Sequence, residues 1–435
     1  MLRKLVSFFF LPPVFIGFIS LAPFTIYWSD FLSAKARYVS QRIGFDSAAF
    51  GYACLCVGAF SLIFFFVFFF FVFFPSRRII KRRIVLHRPR QARRLIFITV
   101  GVLALIGLGV TVFSVSTGGP GYISEMAGRL KAGESATDLL YGSQGYMRND
   151  SVSGIIRMLG GWSNAAVLVW LALAVLPWRD SIKKMYWPGL ALLLAANFMR
   201  GVLGGDRGPT LVAFLLTAYV ALTQIRKRGP MPIYKRRFLR TLGMAIGLAI
   251  IVSMGLWAYD RLDKLRNTVG YNTFLFYSDM GVANLSLEMK TGHGMGYGYN
   301  TFGGPFSVAL SYLGITVAWP QFTFDCVEEG PFLNLLGYTY ADFGLYGFSI
   351  YGFFGLLSGW VYLNIRKHPS RLVWRVTHLH ILWALSSAFT VPIFTGAAYW
   401  AGLLGAIGVS FCLEARRNIY VIPASVFFRE EKVSI

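Results

Sequence analysis

Long apolar runs alternate with short polar segments along the whole chain. Several runs exceed about 18 residues, the length that crosses a hydrocarbon core of about 30 Å. A backbone in lipid must pair its own polar groups, so these runs are predicted as helices. The short alternating segments of a membrane barrel are missing from the pattern. Ten spans are predicted, at about 5–27, 48–74, 95–116, 159–178, 188–203, 210–225, 241–259, 338–363, 376–394 and 398–413. The first contains Pro12-Pro13 and lacks a small-x-small cleavage site, so it reads as a retained helix rather than a signal peptide. The second ends in a nearly unbroken phenylalanine run and reads as lipid-exposed. Residues 305–320 are too short to span and read as a re-entrant or interfacial piece. The expectation is an all-α polytopic membrane protein, one integral domain over 1–435, with a large outer-face loop at 260–337 between helices seven and eight.

Composition agrees with that pattern. The chain is 56% hydrophobic and only 14% charged, with a mean hydropathy of +0.57; a soluble chain of this length exposes far more charge. The formal charge of +23 raises a nucleic-acid surface as one possibility. The basic residues instead fall in short clusters between apolar runs. Residues 77–94, 225–240 and 364–375 are rich in Lys and Arg and contain no acid. That is the positive-inside pattern, and it sets both termini in the cytoplasm. Ten spans then place every strong basic cluster on one face, where residues 77–94 could also grip anionic membrane lipid. Cys54, Cys56, Cys326 and Cys412 offer no disulfide framework.

Candidate chemistry collects on the opposite face. Arg207, in GGDRGPT, stands beside Asp206 at a helix start, where its planar fork suits phosphate or pyrophosphate. The alternative is a boundary arginine that reaches the head groups. Arg200, about two turns earlier within membrane depth, favours a functional role, since intramembrane arginines face the protein interior. Arg261 and Arg266, interleaved with Asp260 and Asp263, are further phosphate or sugar contacts, or a solvated helix end. His293, in GHGMGYGYN, is either a general base or part of a plain turn. Glu328 is a carboxylate near the membrane surface that could act as a base. Asp342 is the more specific candidate. Asn334, Tyr338 and Asp342 recur every fourth residue and share one face of a helix, with Tyr340 alongside. Such a stripe suits a sugar, although an interfacial aromatic belt with a capping Asp has the same pattern. His378 and His380 point to different faces and read as structural. No metal-ligand spacing and no nucleotide fingerprint occurs, so neither a metal nor a cofactor is expected.

Two stretches are similar to a known family. EEGPFLNLLGYTYADFGLYGFSIYGFFGLLSGWVY resembles the late segment of Wzy-type O-antigen and oligosaccharide repeat-unit polymerases, with Asn334 and the Tyr340-Ala341-Asp342-Phe343-Gly344 and Gly347 run. MRGVLGGDRGPTLVAFLLTAYVAL is similar to that family's short G-x-R turn and the helix after it. Gly337-Tyr338 stands where many relatives carry an arginine-containing stretch. The resemblance implies a GT-C-like membrane glycosyltransferase of the bacterial cytoplasmic membrane. It would join undecaprenyl-pyrophosphate-linked oligosaccharide units on the outer face, with a chain-length regulator as possible partner. The alternatives are an O-antigen ligase, which His293 keeps open, or a transporter of polysaccharide or lipid-linked oligosaccharide.

Overall fold

A computed structural model describes residues 2–28, 47–73, 83–86, 89–117, 158–174, 178–204, 208–223, 273–291, 296–298, 301–302, 310, 313, 315, 334–369, 371–388, 396–415 and 419–422. The helices are α1 (Leu2–Phe9), α2 (Pro12–Trp28), α3 (Ser47–Phe73), α4 (Pro89–Thr117), α5 (Trp162–Ala172), α6 (Tyr186–Gly204), α7 (Gly208–Thr223), α8 (Thr273–Thr291), α9 (Leu335–Phe343), α10 (Phe348–Lys367), α11 (Leu372–Ser387) and α12 (Ala397–Ala415). A short helical turn covers Trp178–Ser181, and a 3₁₀ turn, Gly344–Gly347, joins α9 to α10. Among the described residues, four helical segments are long and apolar enough to cross a membrane: Ser47–Phe70, Gln91–Val110, Leu335–Lys367 and Ala398–Ala415. Shorter apolar helices accompany them, including Trp162–Ala172 and Tyr186–Met199. The chain is an all-α membrane protein. The expected span at 241–259 lies outside the described residues.

The helices pack in the relative directions that an alternating path through a bilayer produces. On α2 and α3, Phe24 meets Phe50 and Gly17 faces Val57, so the two run antiparallel. On α4 and α5, Phe97 meets Trp170 and Gly107 sits on the Ser163 backbone, again antiparallel. On α5 and α6, Asn164 bonds Asn197 and Trp170 donates to the Tyr186 carbonyl at 2.9 Å. The α11–α12 pair is antiparallel as well: Glu414 meets Leu372 at one end and Tyr399 meets Trp383 at the other. α5 is the central post. Its residues Ser163 to Ala172 are all buried, enclosed by α4, α6, α7, α11 and α12.

α3 and α10 form the closest pair, and they run parallel. Gly347 faces Tyr52, Gly355 faces Phe60 and Gly359 faces Phe64, so the offset is constant along both helices. A Cβ at Gly355 would overlap the Phe60 carbonyl oxygen, and one at Gly359 would lie 3.1 Å from that of Phe64. Lipid tails give apolar side chains no net drive to associate, so small residues that let backbones approach supply the attraction. This contact decides which residues of α3 turn inward. Phe60, Phe64 and Val67 are buried against α10, while Phe65, Phe66, Phe69 and Phe70 stay exposed. Of the six described phenylalanines from Phe64 to Phe70, four are exposed, as the sequence reading expects, and Phe64 turns toward α10.

Two predicted spans are broken rather than continuous. The first divides into α1 and α2 at Leu11, because Pro12 and Pro13 lack the N–H groups that would continue α1. The eighth divides at Gly344, whose φ of 56° and ψ of −138° suit glycine but strain any residue with a Cβ. α10 alone has 20 residues, about 30 Å at 1.5 Å per residue, and so crosses the hydrocarbon by itself. α9 adds nine residues ahead of it. Leu345 and Tyr346, 60% and 70% exposed, mark the boundary between them.

The opposite face is tied differently. Glu414, at the end of α12, is buried and accepts the backbone N–H groups of Leu372 and Val373. It also pairs with Arg371 at 2.9 Å. A carboxylate on the first amides of α11 answers both their unpaired donors and the helix dipole. On the same side, Arg83–Leu86 (β1) pairs antiparallel with Ile419–Ile422 (β2), the one departure from helix among the described elements. The ribbon joins the segment after α3 to the segment after α12, so both helices finish on one face.

The α3–α10 contact generates a matched prediction. Gly355→Ala should lower the melting temperature of the detergent-solubilised protein, with an overpacking cost of about 1–3 kcal/mol. Gly58→Ala in α3, where nothing lies within 4 Å, should be neutral or stabilising. Equal effects from the two would show that the α3–α10 contact is not close-packed.

Candidate functional site

The site is built on α9. Asn334 precedes the helix in extended conformation and caps it. Its Oδ1 accepts from the Gly337 N–H at 3.0 Å, the capping geometry that Asn favours. Its carbonyl accepts from Tyr338, and the Leu335 N–H reaches across to the carbonyl of Ala388 at the end of α11, at 3.0 Å. The start of α9 is thereby fixed to a neighbouring helix. Further along, Thr339 is wholly buried, with its hydroxyl 3.1 Å from the Tyr52 hydroxyl of α3. The Tyr340 ring stands edge-on to Tyr52, with centroids 5.2 Å apart.

Asp342 closes the helix and is 0% exposed. Its Oδ2 accepts from the backbone N–H of Thr301 at 2.5 Å. The glycine-rich turn before Thr301 lies along the same end of α9. Gly296 donates to the Ala341 carbonyl and Tyr297 to the Asp342 carbonyl, each at 3.0 Å. Tyr297 adopts φ 47° and Gly298 φ 90°. That reversal brings Gly298 against the Phe343 ring, which a Cβ there would meet at 3.2 Å. Left-handed backbone at a tyrosine is costly and survives where the surroundings fix it. Here three hydrogen bonds to α9 do so.

α8 completes the enclosure, and sequence reasoning missed it. It lies within the segment read as the outer loop, and it packs against α2, α3 and α9. Gly281 closes on Asn334, where a Cβ would come within 2.8 Å of Nδ2. From there Asn284, Ser286 and Glu288 are all buried. Gly296, five residues beyond the end of α8, reaches Ala341 near the end of α9, so α8 and α9 run side by side in one direction. Asn334, Thr339 and Asp342 on α9, Thr301 beside Asp342, and Asn284, Ser286 and Glu288 on α8 are each buried polar residues. The signal in the sequence was the spacing Gly281, Asn284, Leu285, Glu288, a helical face hidden by low hydropathy.

The predicted site residues divide accordingly. Asn334 and Asp342 are buried and Tyr338 and Tyr340 half-buried on α9, which is continuous through Phe343 as the four-residue spacing requires. Arg200 lies in α6, one turn before its end at Gly204. One turn before it, Asn197 pairs with Asn164 in the bundle interior. Arg207, Arg261, Arg266, His293 and Glu328 lie outside the described residues. His378 and His380 point apart, His378 toward Tyr219 and Tyr362 and His380 toward Trp383 and Tyr399. Among the described residues no three His, Cys, Asp or Glu side chains converge as metal ligands would.

An apolar cavity of about 370 Å³ lies between α10, α11 and α12. It begins at Leu335, the residue after Asn334, and extends past Leu357 and Ile381 to Trp360, Trp374 and Phe411 near the other face.

Gly344→Ala tests the turn that joins the Asp342 end of α9 to α10. Placing a Cβ at that φ should cost about 1–3 kcal/mol, read as a lower melting temperature in detergent. An unchanged melting temperature would show that the turn is not fixed.

Comparison of the chain with protein-family models, with well-characterised proteins and with solved structures returns no match.

Proposed function

We propose that this protein is a membrane glycosyltransferase. It polymerises undecaprenyl-pyrophosphate-linked oligosaccharide repeat units on the outer face of the bacterial cytoplasmic membrane. The observation that carries the reading is Asp342: a carboxylate wholly withdrawn from solvent, on the helix that leads into α10, among Asn and Thr side chains suited to sugar hydroxyls. An intramembrane or boundary carboxylate is expensive, and its presence there points to chemistry.

In the proposed reaction Asp342 takes the proton of the acceptor hydroxyl. The acceptor oxygen bonds to the anomeric carbon of the donor sugar while the bond from that carbon to the pyrophosphate oxygen breaks. The electron pair leaves with the lipid diphosphate, whose charge Arg207 neutralises, with Arg200, Arg261 and Arg266 as further contacts. Asn334, Tyr338 and Tyr340 hold the sugars. Glu328 and His293 are the other candidate bases. The isoprenoid chain occupies the apolar cavity below Leu335. The donor is already activated, so no nucleotide enters the scheme. A basic cytoplasmic face, with both termini on it, completes the proposed orientation.

The test uses the source bacterium deleted for the protein and complemented in full length. Asp342→Asn should abolish long polysaccharide at normal protein levels, since removing a general base costs about 10²–10⁴ in rate. Arg207→Ala should cut polymer by about 10²-fold or more, the effect of losing a charge-stabilising group. Normal long chains from both variants would end this reading. Purified protein in vesicles that moves lipid-linked oligosaccharide without lengthening it would replace it with transport.

A further inference from the structure

Thr301 was not among the residues singled out by sequence, yet it makes the shortest described contact to Asp342. Its backbone N–H fixes Oδ2 at 2.5 Å. Its side chain is 0% exposed, and its hydroxyl has no hydrogen-bond partner among the described residues. A buried hydroxyl carries one donor and two acceptor positions, and leaving them unmet is unfavourable. Such a group in a folded protein calls for a physical reason. Within one threonine the nitrogen and hydroxyl oxygen are about 3–3.7 Å apart, so the Thr301 hydroxyl lies no more than about 6 Å from Asp342 Oδ2.

That separation fits a particular ligand chemistry. Two adjacent hydroxyls of a sugar ring stand about 3 Å apart, and each makes hydrogen bonds of about 2.8 Å. One can donate to the Asp342 carboxylate while its neighbour pairs with the Thr301 hydroxyl. We infer that Thr301 is a positioning residue whose hydroxyl, together with the Asp342 carboxylate, binds a pair of neighbouring hydroxyls on the acceptor glycan. The inference rests on the polymerase reading and adds to it the residue that orients the acceptor. In this structure the Thr301 N–H holds Oδ2, and the carboxylate keeps the capacity to accept a further hydrogen bond from the acceptor hydroxyl.

Thr301→Val and Thr301→Ser separate this role from a structural one. Valine keeps the shape and the backbone N–H but removes the hydroxyl; serine keeps the hydroxyl. Full-length variants are compared in the deletion strain for long polysaccharide and, after purification, for melting temperature. Thr301→Val should melt at or above the wild-type temperature, because it deletes an unmet buried polar group, and should still make roughly tenfold less polymer. Thr301→Ser should make polymer close to wild type. A valine variant that melts lower means that the hydroxyl already has a partner in the resting fold, and overturns the inference. Wild-type polymer from Thr301→Val, or a serine variant as deficient as valine, also overturns it. If Asp342→Asn abolishes polymer while Thr301→Val does not, only this inference fails. If Asp342→Asn leaves polymer intact, the polymerase site and this inference fall together.

Discussion

The parallel seam between α3 and α10 is the contact on which the rest of the structure depends. Gly347, Gly355 and Gly359 meet Tyr52, Phe60 and Phe64 at one constant offset. In lipid, apolar surface alone does not bring two helices together, so the glycines decide which phenylalanines turn inward. The seam also sets height. With Gly347 seated on the Tyr52 hydroxyl and the carbonyl of Thr339, the start of α10 cannot slide along α3. Everything that follows from that end, including the 3₁₀ turn, α9 and Asp342, inherits its depth. Tyr52 belongs to both levels, because its hydroxyl meets Thr339 while its ring meets Tyr340.

Above the seam the chain exchanges one kind of cohesion for another. Below Gly344 the helices hold by close backbone approach. Above it, hydrogen bonds take over: Asn334 to Gly337, Leu335 to Ala388, Tyr297 and Thr301 to Asp342. Gly344, with its positive φ, ends α9 at this change. The other face shows the same division. There Glu414 holds α11 through two amides and Arg371. Side-chain polar groups thus lock the ends of the bundle, and close packing holds its middle.

Much of this was legible in the sequence, and the failures have definite causes. Apolar length identified the long helices, and alternation anticipated their relative directions. The spacing of Tyr338 and Asp342 falls on one regular helix, while Asn334 stands just before it as the extended N-cap. α8 was missed because its register is polar: Ser278, Asp279, Asn284, Ser286, Glu288 and Lys290 dilute the hydropathy, leaving a stripe rather than a run. The phenylalanine run carried no information about facing, since uniform side chains have no moment; the partner glycines hold that information. Thr301 was invisible for another reason. Its contact with Asp342 is made by the backbone, and no residue type announces a backbone N–H. The pairing of β1 with β2 joins two four-residue segments far apart in the chain, a distance over which local pattern carries no signal.

The chemistry of Asp342 separates its two possible roles. As a latch for the Thr301 N–H, the residue needs only an acceptor, and an asparagine Oδ1 would serve with a smaller desolvation cost. Asn334 does that work four and eight residues away from Tyr338 and Asp342, accepting from Gly337 with a neutral amide. Glu414 shows what a buried carboxylate requires when its role is to hold helices: two amides and an arginine at once. Under the proposed function, the carboxylate at position 342 serves as the base for the acceptor hydroxyl as well as an anchor for the turn.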